Sequence, residues 1–472
     1  MNRIIMTLAC LLLAATINAQ EEGAQPQKPF YKYRVYLKDK KGSEYSVKRP
    51  EEFLSQKAIE RRRRQNIQID ESDLPVSRKY LTLLENCGVE LMHCSKWNNT
   101  VLVQTDDTLL MDKVSALSCV DSIRKVATYK SIPKQDPNRK EKVKNRDEDP
   151  QSKSFFEGLH DDLINRHLTS AYKYGKAYNQ IKMLNGIALH ERGFRGKGMT
   201  IAVIDGGFHN VDAIPYFKDV DILGWKDFAL KGGDVFGEEE HGTMVLSCIA
   251  SNCRGQIVGT APEASFWLLR SEDGHSEQMV EEDNWCAAVE FADSVGVDVI
   301  NTSLGYTKYD NTADNVRYWE LDGNTRMHSR SASRLASKGI ILVQSAGNEA
   351  NYSRWKLIGS PADAKDILAV GALTPEKENT YFSSLGNSAD GRVKPDICAQ
   401  GEDCAVIGKD GQITSADGTS FAAPISCGMV ACFWQAHPEL NAYEVMDRIR
   451  KSGDNASHPN NVFGYGIPDY NK

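Results

Sequence analysis

Four short stretches hold side chains that could together perform nucleophilic chemistry. The first, "DGTSFAAPISCG" from Asp417 to Gly428, sets Ser420 just after Gly418-Thr419 and just before an apolar run that contains Pro424. Proline is tolerated in a helix only within about the first turn, where its missing N–H has no partner anyway. The spacing therefore predicts a helix that begins near Ser420, with the hydroxyl at the positive end of the dipole beside free backbone N–H groups. A nucleophile needs that setting, and Gly418, Ala422 and Ala423 leave room for a substrate backbone. A plain serine N-cap would account for Ser420 but not for the other three stretches.

"IAVID" delivers Asp205 to the end of an apolar run, followed by Gly206-Gly207. A carboxylate there must be hydrogen-bonded or in use, because burying it alone is costly; taken singly, it reads equally well as a structural turn residue. In "EEEHGTMVLSCIAS", His241 precedes Gly242-Thr243 at the start of a helical face made by Val245, Leu246 and Ile249. A lone histidine in that place is more often structural than catalytic. "VQSAGNEANYS" ends a strand at Ser345 and exposes Asn348 on a glycine-flanked turn, by itself an ordinary loop signal.

The elements that must position these residues are legible too. "MTIAVID", "VDVINTS", "GIILVQSAGN" and "DILAVGAL" are near-continuous apolar runs that alternate with helical patterns. That is the pattern of a parallel sheet buried on both faces, where function collects at the C-terminal ends of the strands. This α/β unit spans residues 171–472. Upstream, over residues 28–126, "YKYRVYLK" alternates Tyr31, Tyr33, Val35 and Leu37 with mostly basic residues, as a half-buried strand would. "PVSRKYLTLLENCG" puts Val76, Tyr80, Leu83, Leu84 and Cys87 on one helical face between Pro75 and Gly88. With the strand "NTVLVQT" and a helix through Leu110, Val114 and Leu117, this predicts a small α+β module. The run Arg61 to Arg64 reads as a solvated helix face in preference to a processing or partner signal. Residues 127–170 join the two units. Their stretch "KQDPNRKEKVKNRDEDPQSKS", Lys134 to Ser154, has one aliphatic residue and charges of both signs, which predicts an exposed linker open to proteolysis.

The bulk numbers exclude several classes. The chain is 41% hydrophobic and 26% charged, an ordinary soluble composition, and its net charge of −7 gives no general attraction to nucleic acid or anionic membrane. Arg3, the apolar run Ile4 to Ala15 and the small Ala19 read as a secretory signal peptide, residues 1–19, too short for a lasting transmembrane segment. Cys10 has almost no apolar run before it and is not read as a lipid site. A secreted protein, extracellular or periplasmic, is expected, and export permits disulfides. Of the ten cysteines beyond Cys10, seven lie in the last half, so at least one of these is free unless a bridge crosses to the first group. Buried free thiols are the expected state for most; Cys398 and Cys404, flanking a short loop, are the candidate pair. No CxxC or HExxH is present, which argues against structural zinc and a metalloprotease centre.

In order, "IAVIDGG", "HGTMV", "SAGNE" and "GTSFAAP" resemble the motif blocks of the subtilisin-like serine peptidases, the subtilases. "NTSLG" (Asn301 to Gly305) looks like the family's substrate-pairing strand, and "GYGIPD" (Gly464 to Asp469) like its usual end. The resemblance implies a subtilisin-like, doubly wound, mostly parallel sheet flanked by helices, preceded by an α+β propeptide that blocks the cleft until removed. It implies that Ser420 attacks the scissile carbonyl, His241 is the general base, Asp205 orients it, and Asn348 with the Ser420 N–H forms the oxyanion hole. Ser303, Leu304 and Gly305 would line one side of the S1 pocket. The implied partners are protein or peptide substrates and the chain's own propeptide, with a monomer expected. No cofactor is required for such chemistry. Many subtilases hold a structural calcium; here "GGDVFGEEE" (Gly232 to Glu240) is the candidate loop, read as a solvated acidic loop, and the metal stays undetermined. Two positions depart from the family pattern: Met244 stands where a second histidine is common, and Gly206 where Ser or Thr is common. His241 and Asn348 argue against the acid-active sedolisins, which use carboxylates there. An esterase would want a G-x-S-x-G elbow that Gly418 to Ala422 lacks. The alternative function is a binding protein on an inactive scaffold, which the intact set of four residues disfavours.

Overall fold

The computed structural model describes residues 29–130 and 170–472. The expected signal peptide, Cys10 and the Lys134–Ser154 linker lie outside the described residues.

Residues 30–129 form a four-stranded antiparallel sheet in the order β2-β3-β1-β4. In chain order its elements are β1 (Phe30–Leu37), α1 (Gln56–Arg64), α2 (Arg78–Asn86), β2 (Glu90–Ser95), β3 (Thr100–Thr105), α3 (Leu110–Ser115) and β4 (Val120–Tyr129). Val35, Leu37, Leu84, Val101, Val103 and Val114 fill the layer between sheet and helices. The opposite face of β1 departs from the alternation reading: Lys32 and Arg34 are 4% and 2% exposed instead of facing water. They lie against the second unit, as the sheet covers one of its helices.

The second unit is built on a seven-stranded sheet. Its elements are β5 (Thr200–Asp205), β6 (Asp221–Asp227), α4 (His241–Ala250), β7 (Ser265–Arg270), α5 (Val280–Val295), β8 (Val299–Thr302), α6 (Met327–Arg334), β9 (Ile341–Ser345), β10 (Leu368–Leu373), β11 (Ile397–Gln400), the hairpin β12 (Cys404–Ile407) and β13 (Ile413–Ala416), α7 (Thr419–Ala436) and α8 (Ala442–Ser452). The sheet order is β11-β10-β9-β8-β5-β7-β6, and every pair is parallel. The apolar runs are continuous because helices cover both faces. Along β5, Ile201 and Val203 enter the core shared with α4 and α7, whereas Ala202 and Ile204 enter the one shared with α5 and α6.

The two units meet through buried charge. Helix α5 carries Glu281, Glu282, Asp283, Glu290 and Asp293, all buried. Arg34 binds Asp283 bidentately at 2.7 and 2.6 Å. Arg61, Arg62 and Lys96 converge on Asp293 at 2.6, 3.0 and 2.8 Å. Glu290 accepts from Ser95 Oγ, Lys96 N and Trp97 N. The solvated reading of Arg61 to Arg64 therefore holds only for Arg63 and Arg64; Arg61 and Arg62 are buried against α5. Asp73, eleven residues on, pairs with Arg62 at 2.8 Å, but the carboxylate both arginines share, Asp293, lies more than two hundred residues away, beyond the reach of local sequence.

The ten described cysteines are all free thiols. The Cys398–Cys404 pairing is thus incorrect: the Cys398 thiol donates to Phe463 O and the Cys404 thiol to Gln400 O, each at 3.4 Å. Burial pushes both thiols up, as expected of small apolar fillers.

Candidate active site

The four candidate residues come from four elements that meet at the C-terminal edge of the sheet. Asp205 is the last residue of β5, fully buried, and His241 is the first residue of α4, with its side chain 31% exposed. His241 Nδ1 lies 2.8 Å from Asp205 Oδ1, which also accepts from Gly206 N at 2.8 Å. Their approach depends on Gly242: a Cβ there would stand 2.3 Å from Gly207 O and 2.9 Å from Asp205 Cβ. Asp205 Oδ2 has no hydrogen-bond partner among the described residues, and Gly206, with no side chain, offers it none. Met244 packs against the core beneath α4.

Burial works against a charged His241, but the Asp205 carboxylate, helped by Glu239, outweighs it and holds the imidazole pKa above its ordinary 6.5. That leaves Nε2, on the opposite edge of the ring, as the nitrogen free to exchange a proton with a substrate-side group.

Ser420 is the second residue of α7, and 9% exposed. The helix begins at Thr419, as its sequence predicts, yet Pro424 sits in its second turn and not its first. Pro424 cannot donate to the carbonyl of Ser420, its i−4 residue. That oxygen is taken instead by Ser303 Oγ, which donates to it at 2.8 Å. In return Ser420 Oγ donates to Ser303 O at 3.3 Å. The two serines thus bind the start of α7 to the segment after β8. The hydroxyl sits among N–H groups of the helix start.

Asn348 follows β9, just after Gly347. The positive φ of Gly347 (114°) lets the chain turn there, and a Cβ would meet Glu349 Oε2 at 2.4 Å. Thr419 N and Thr419 Oγ1 both donate to Asn348 Oδ1 at 2.9 Å. The oxygen is therefore committed as acceptor and Nδ2 is left to donate. A Cβ on Gly418 would lie 3.6 Å from that Nδ2 and 3.6 Å from Ser420 Cβ, so the amide faces the neighbourhood of the hydroxyl. Ser303, Leu304, Gly305, Asn348 and Ser420 line one cavity, completed on its far side by Ala346, Glu349 and Gly359.

Five of the seven residues singled out from sequence line this cavity; the other two, Asp205 and His241, form their own pair, with the His241 ring 6.0 Å from that of Phe421, the residue after Ser420. Two others that sequence reading passed over line the cavity, and a third acts on His241. Thr419, inside the quoted "GTS", holds Asn348; Glu349, beside Asn348, walls the cavity; and Glu239, in the acidic loop, reaches toward His241. For the first two the signal was adjacency to a chosen residue. Among the described residues no group of His, Cys, Asp or Glu is arranged to hold a metal ion, including those of the Gly232–Glu240 loop.

Comparison with known proteins gives concordant matches. The model of the subtilase family matches residues 196–466, and that of a peptidase S8 propeptide domain from Bacteroidota matches residues 32–145. Subtilisin NAT of Bacillus subtilis subsp. natto is 27% identical over 303 residues, covering 64% of this chain and 71% of the relative. Serine protease AprX of Bacillus subtilis is 28% identical over 305 residues, covering 57% and 65% respectively. Among solved structures, MycP1 from Mycobacterium smegmatis superposes with a TM-score of 0.50 at 21% identity, over 64% of this chain and 84% of that one, a likeness of fold.

Proposed function

Because the chain belongs to the subtilase family of serine endopeptidases, we propose that it is a secreted zymogen whose Ser420, His241 and Asp205 hydrolyse peptide bonds in proteins. The observation that carries the assignment is the 2.8 Å contact from His241 Nδ1 to a fully buried Asp205, with the His241 ring 6.0 Å from that of Phe421, the neighbour of Ser420 at a helix start.

In this reading His241 Nε2 takes the Ser420 proton as Oγ attacks the carbonyl carbon, then returns it to the leaving amine. Asp205 fixes the tautomer and stabilises the imidazolium; it keeps its own charge throughout. Oγ, which donates to Ser303 O in the free site, turns to Nε2 when substrate arrives, since such contacts tighten only in the substrate complex. The developing oxyanion receives Asn348 Nδ2–H and the Ser420 N–H. Ser303 to Gly305 pair with the substrate backbone and line S1. No cofactor enters these steps, and one chain supplies every group. The domain of residues 28–126 acts as propeptide, cleavage falls within residues 127–170, and residues 1–19 direct export.

The test expresses the chain beside its Ser420→Ala variant, follows propeptide loss by mass spectrometry, and measures casein cleavage and fluorophosphonate labelling. Maturation, cleavage and labelling in the parent alone support both hydrolysis and self-processing. A parent matured only by an added protease, and labelled afterwards, keeps the peptidase and removes self-processing. A folded, matured parent that neither labels nor cleaves leaves a binding protein on an inactive scaffold.

A further inference from the structure

Beside the Asp205 turn stands a group of carboxylates that form no ion pair among the described residues. Glu281, in the first turn of α5, is 2% exposed; its Oε1 accepts from Asp273 N at 3.2 Å and its Oε2 has no hydrogen-bond partner among the described residues. Glu272 lies beside it and accepts from Tyr306 Oη at 2.7 Å and Ser271 Oγ at 2.6 Å. Exposed Glu277 and Glu239 close the group on the solvent side. Glu239 carries it to the reaction centre: a Cβ on Gly206 would meet Glu239 Oε2 at 2.8 Å and Glu272 Cβ at 3.7 Å.

Other buried carboxylates are matched by cations, as Asp293 is by Arg61, Arg62 and Lys96, and Asp396 by Lys394, or by several neutral donors, as Glu290 is by Ser95 Oγ, Lys96 N and Trp97 N. Among the described residues no ion pair involves Glu272, Glu277 or Glu281. Burial pushes the Glu272 and Glu281 carboxyls up, and the charge of Glu277 adds to both. A buried acid left without a partner is costly to ionise, and a cation placed beside it removes that cost. These carboxylates do not form a metal-holding group.

The neighbouring chain shows which part of a substrate would pass here. The end of β4 runs along the segment before α5: Thr128 N donates to Gln278 Oε1 at 2.8 Å, and Gln278 Nε2 donates back to Thr128 O at 3.4 Å. Tyr129 follows, next to Asp273 and Ser276. This strand leads toward the segment to be cut, so a peptide laid on the same track presents the residues amino-terminal to its scissile bond. In sequence the track continues with Lys130 and the basic residues of "KQDPNRKEKVKNR".

We infer that Glu272, Glu277 and Glu281, with Glu239 at the rim, form a subsite for the ammonium or guanidinium of a lysine or arginine on the amino-terminal side of the scissile bond. The inference rests on the peptidase reading and adds a substrate class to it: polypeptides with a basic residue shortly before the cut.

The test uses the matured enzyme, with active sites counted by a fluorophosphonate. Internally quenched peptides of neutral sequence carry one lysine at each position in turn before the cut, each paired with a norleucine peptide of equal shape. At one position lysine is expected to raise kcat/KM about tenfold or more over norleucine, equivalent to about 1.4 kcal/mol. Glu281→Gln and Glu272→Gln are each expected to bring that ratio below about threefold. Glu277→Gln, on the surface, gives the same readout should the buried variants fail to fold. A lysine-to-norleucine ratio within about twofold at every position overturns the inference while the peptidase stands, as does a preference that survives all three substitutions. A chain that the fluorophosphonate does not label removes the peptidase reading itself, and the subsite with it.

Discussion

Ser303 Oγ donates to the carbonyl oxygen of Ser420 at 2.8 Å, the oxygen that Pro424 leaves without its intrahelical donor. The proline thus does more than permit a helix start. It frees a buried acceptor, and a residue after β8 uses it to fix the turn that carries the proposed nucleophile.

Ser303→Ala should leave that acceptor unsatisfied and cost about 1–3 kcal/mol of stability, with a loss of turnover as the Ser420 turn loosens. Pro424→Ala restores a backbone donor at the i−4 spacing. The double variant is therefore expected to lose less stability than Ser303→Ala alone. Urea unfolding of the single and double variants checks this; losses that simply add would show the two residues to be uncoupled.

Asn348 presents its amide to the cleft because Thr419 engages its oxygen twice. Asn348→Ala should lower kcat by about 10²–10³ with little change in KM, since the donor acts on charge that appears only in the transition state. Thr419→Val keeps the backbone donor and removes the hydroxyl, so a smaller fall in kcat is expected. Steady-state kinetics on one chromogenic peptide separates the two.

Asp205 and Glu239 hold the His241 pKa above its ordinary 6.5, against burial. The base form is therefore gained only at higher pH, and the acid limb of kcat/KM should lie above that of an unperturbed histidine. The Asp205–His241 pair also stabilises the fold. That contribution is fully present below the unfolded-state pKa and is lost as pH rises through the folded one. Glu239→Gln should move the acid limb down while leaving activity measurable. A pH–rate profile in which the limb does not move would show that Glu239 does not act on His241.

Asp293 binds three cations of the propeptide-like domain. Burial alone would raise its pKa; Lys96, Arg62 and Arg61 instead hold it well below the usual carboxylate range. In a Ser420→Ala background, Asp293→Ala should cost about 3–5 kcal/mol, because it strands buried cations. Arg61→Ala with Asp293→Ala should lose less than the sum of the singles. Denaturant unfolding of the full chain reads both.

Much of the fold was legible in the sequence for a simple physical reason. A strand covered on both faces must be apolar throughout, so β5, β8, β9 and β10 could be read from runs such as "TIAVID" and "ILVQS". The site was legible because each of its residues stands in a local setting that only a strand end, a helix start or a glycine turn provides.

What tertiary structure alone decided is where charge and acceptors find their partners. Arg34 and Arg61 looked solvated because a basic residue without a nearby carboxylate belongs in water; their carboxylates arrive from α5, far along the chain, and so does Asp293 for Arg62, which Asp73 also binds. Cys398 and Cys404 looked like a pair from spacing, but each thiol is aimed at a different carbonyl. Pro424 marked the helix start, yet only the folded chain brought Ser303 to the oxygen it freed. Hydrophobic periodicity is a local property and survives in the sequence. The neutralisation of a buried polar group is a contact between distant segments, and it exists only once the chain has folded.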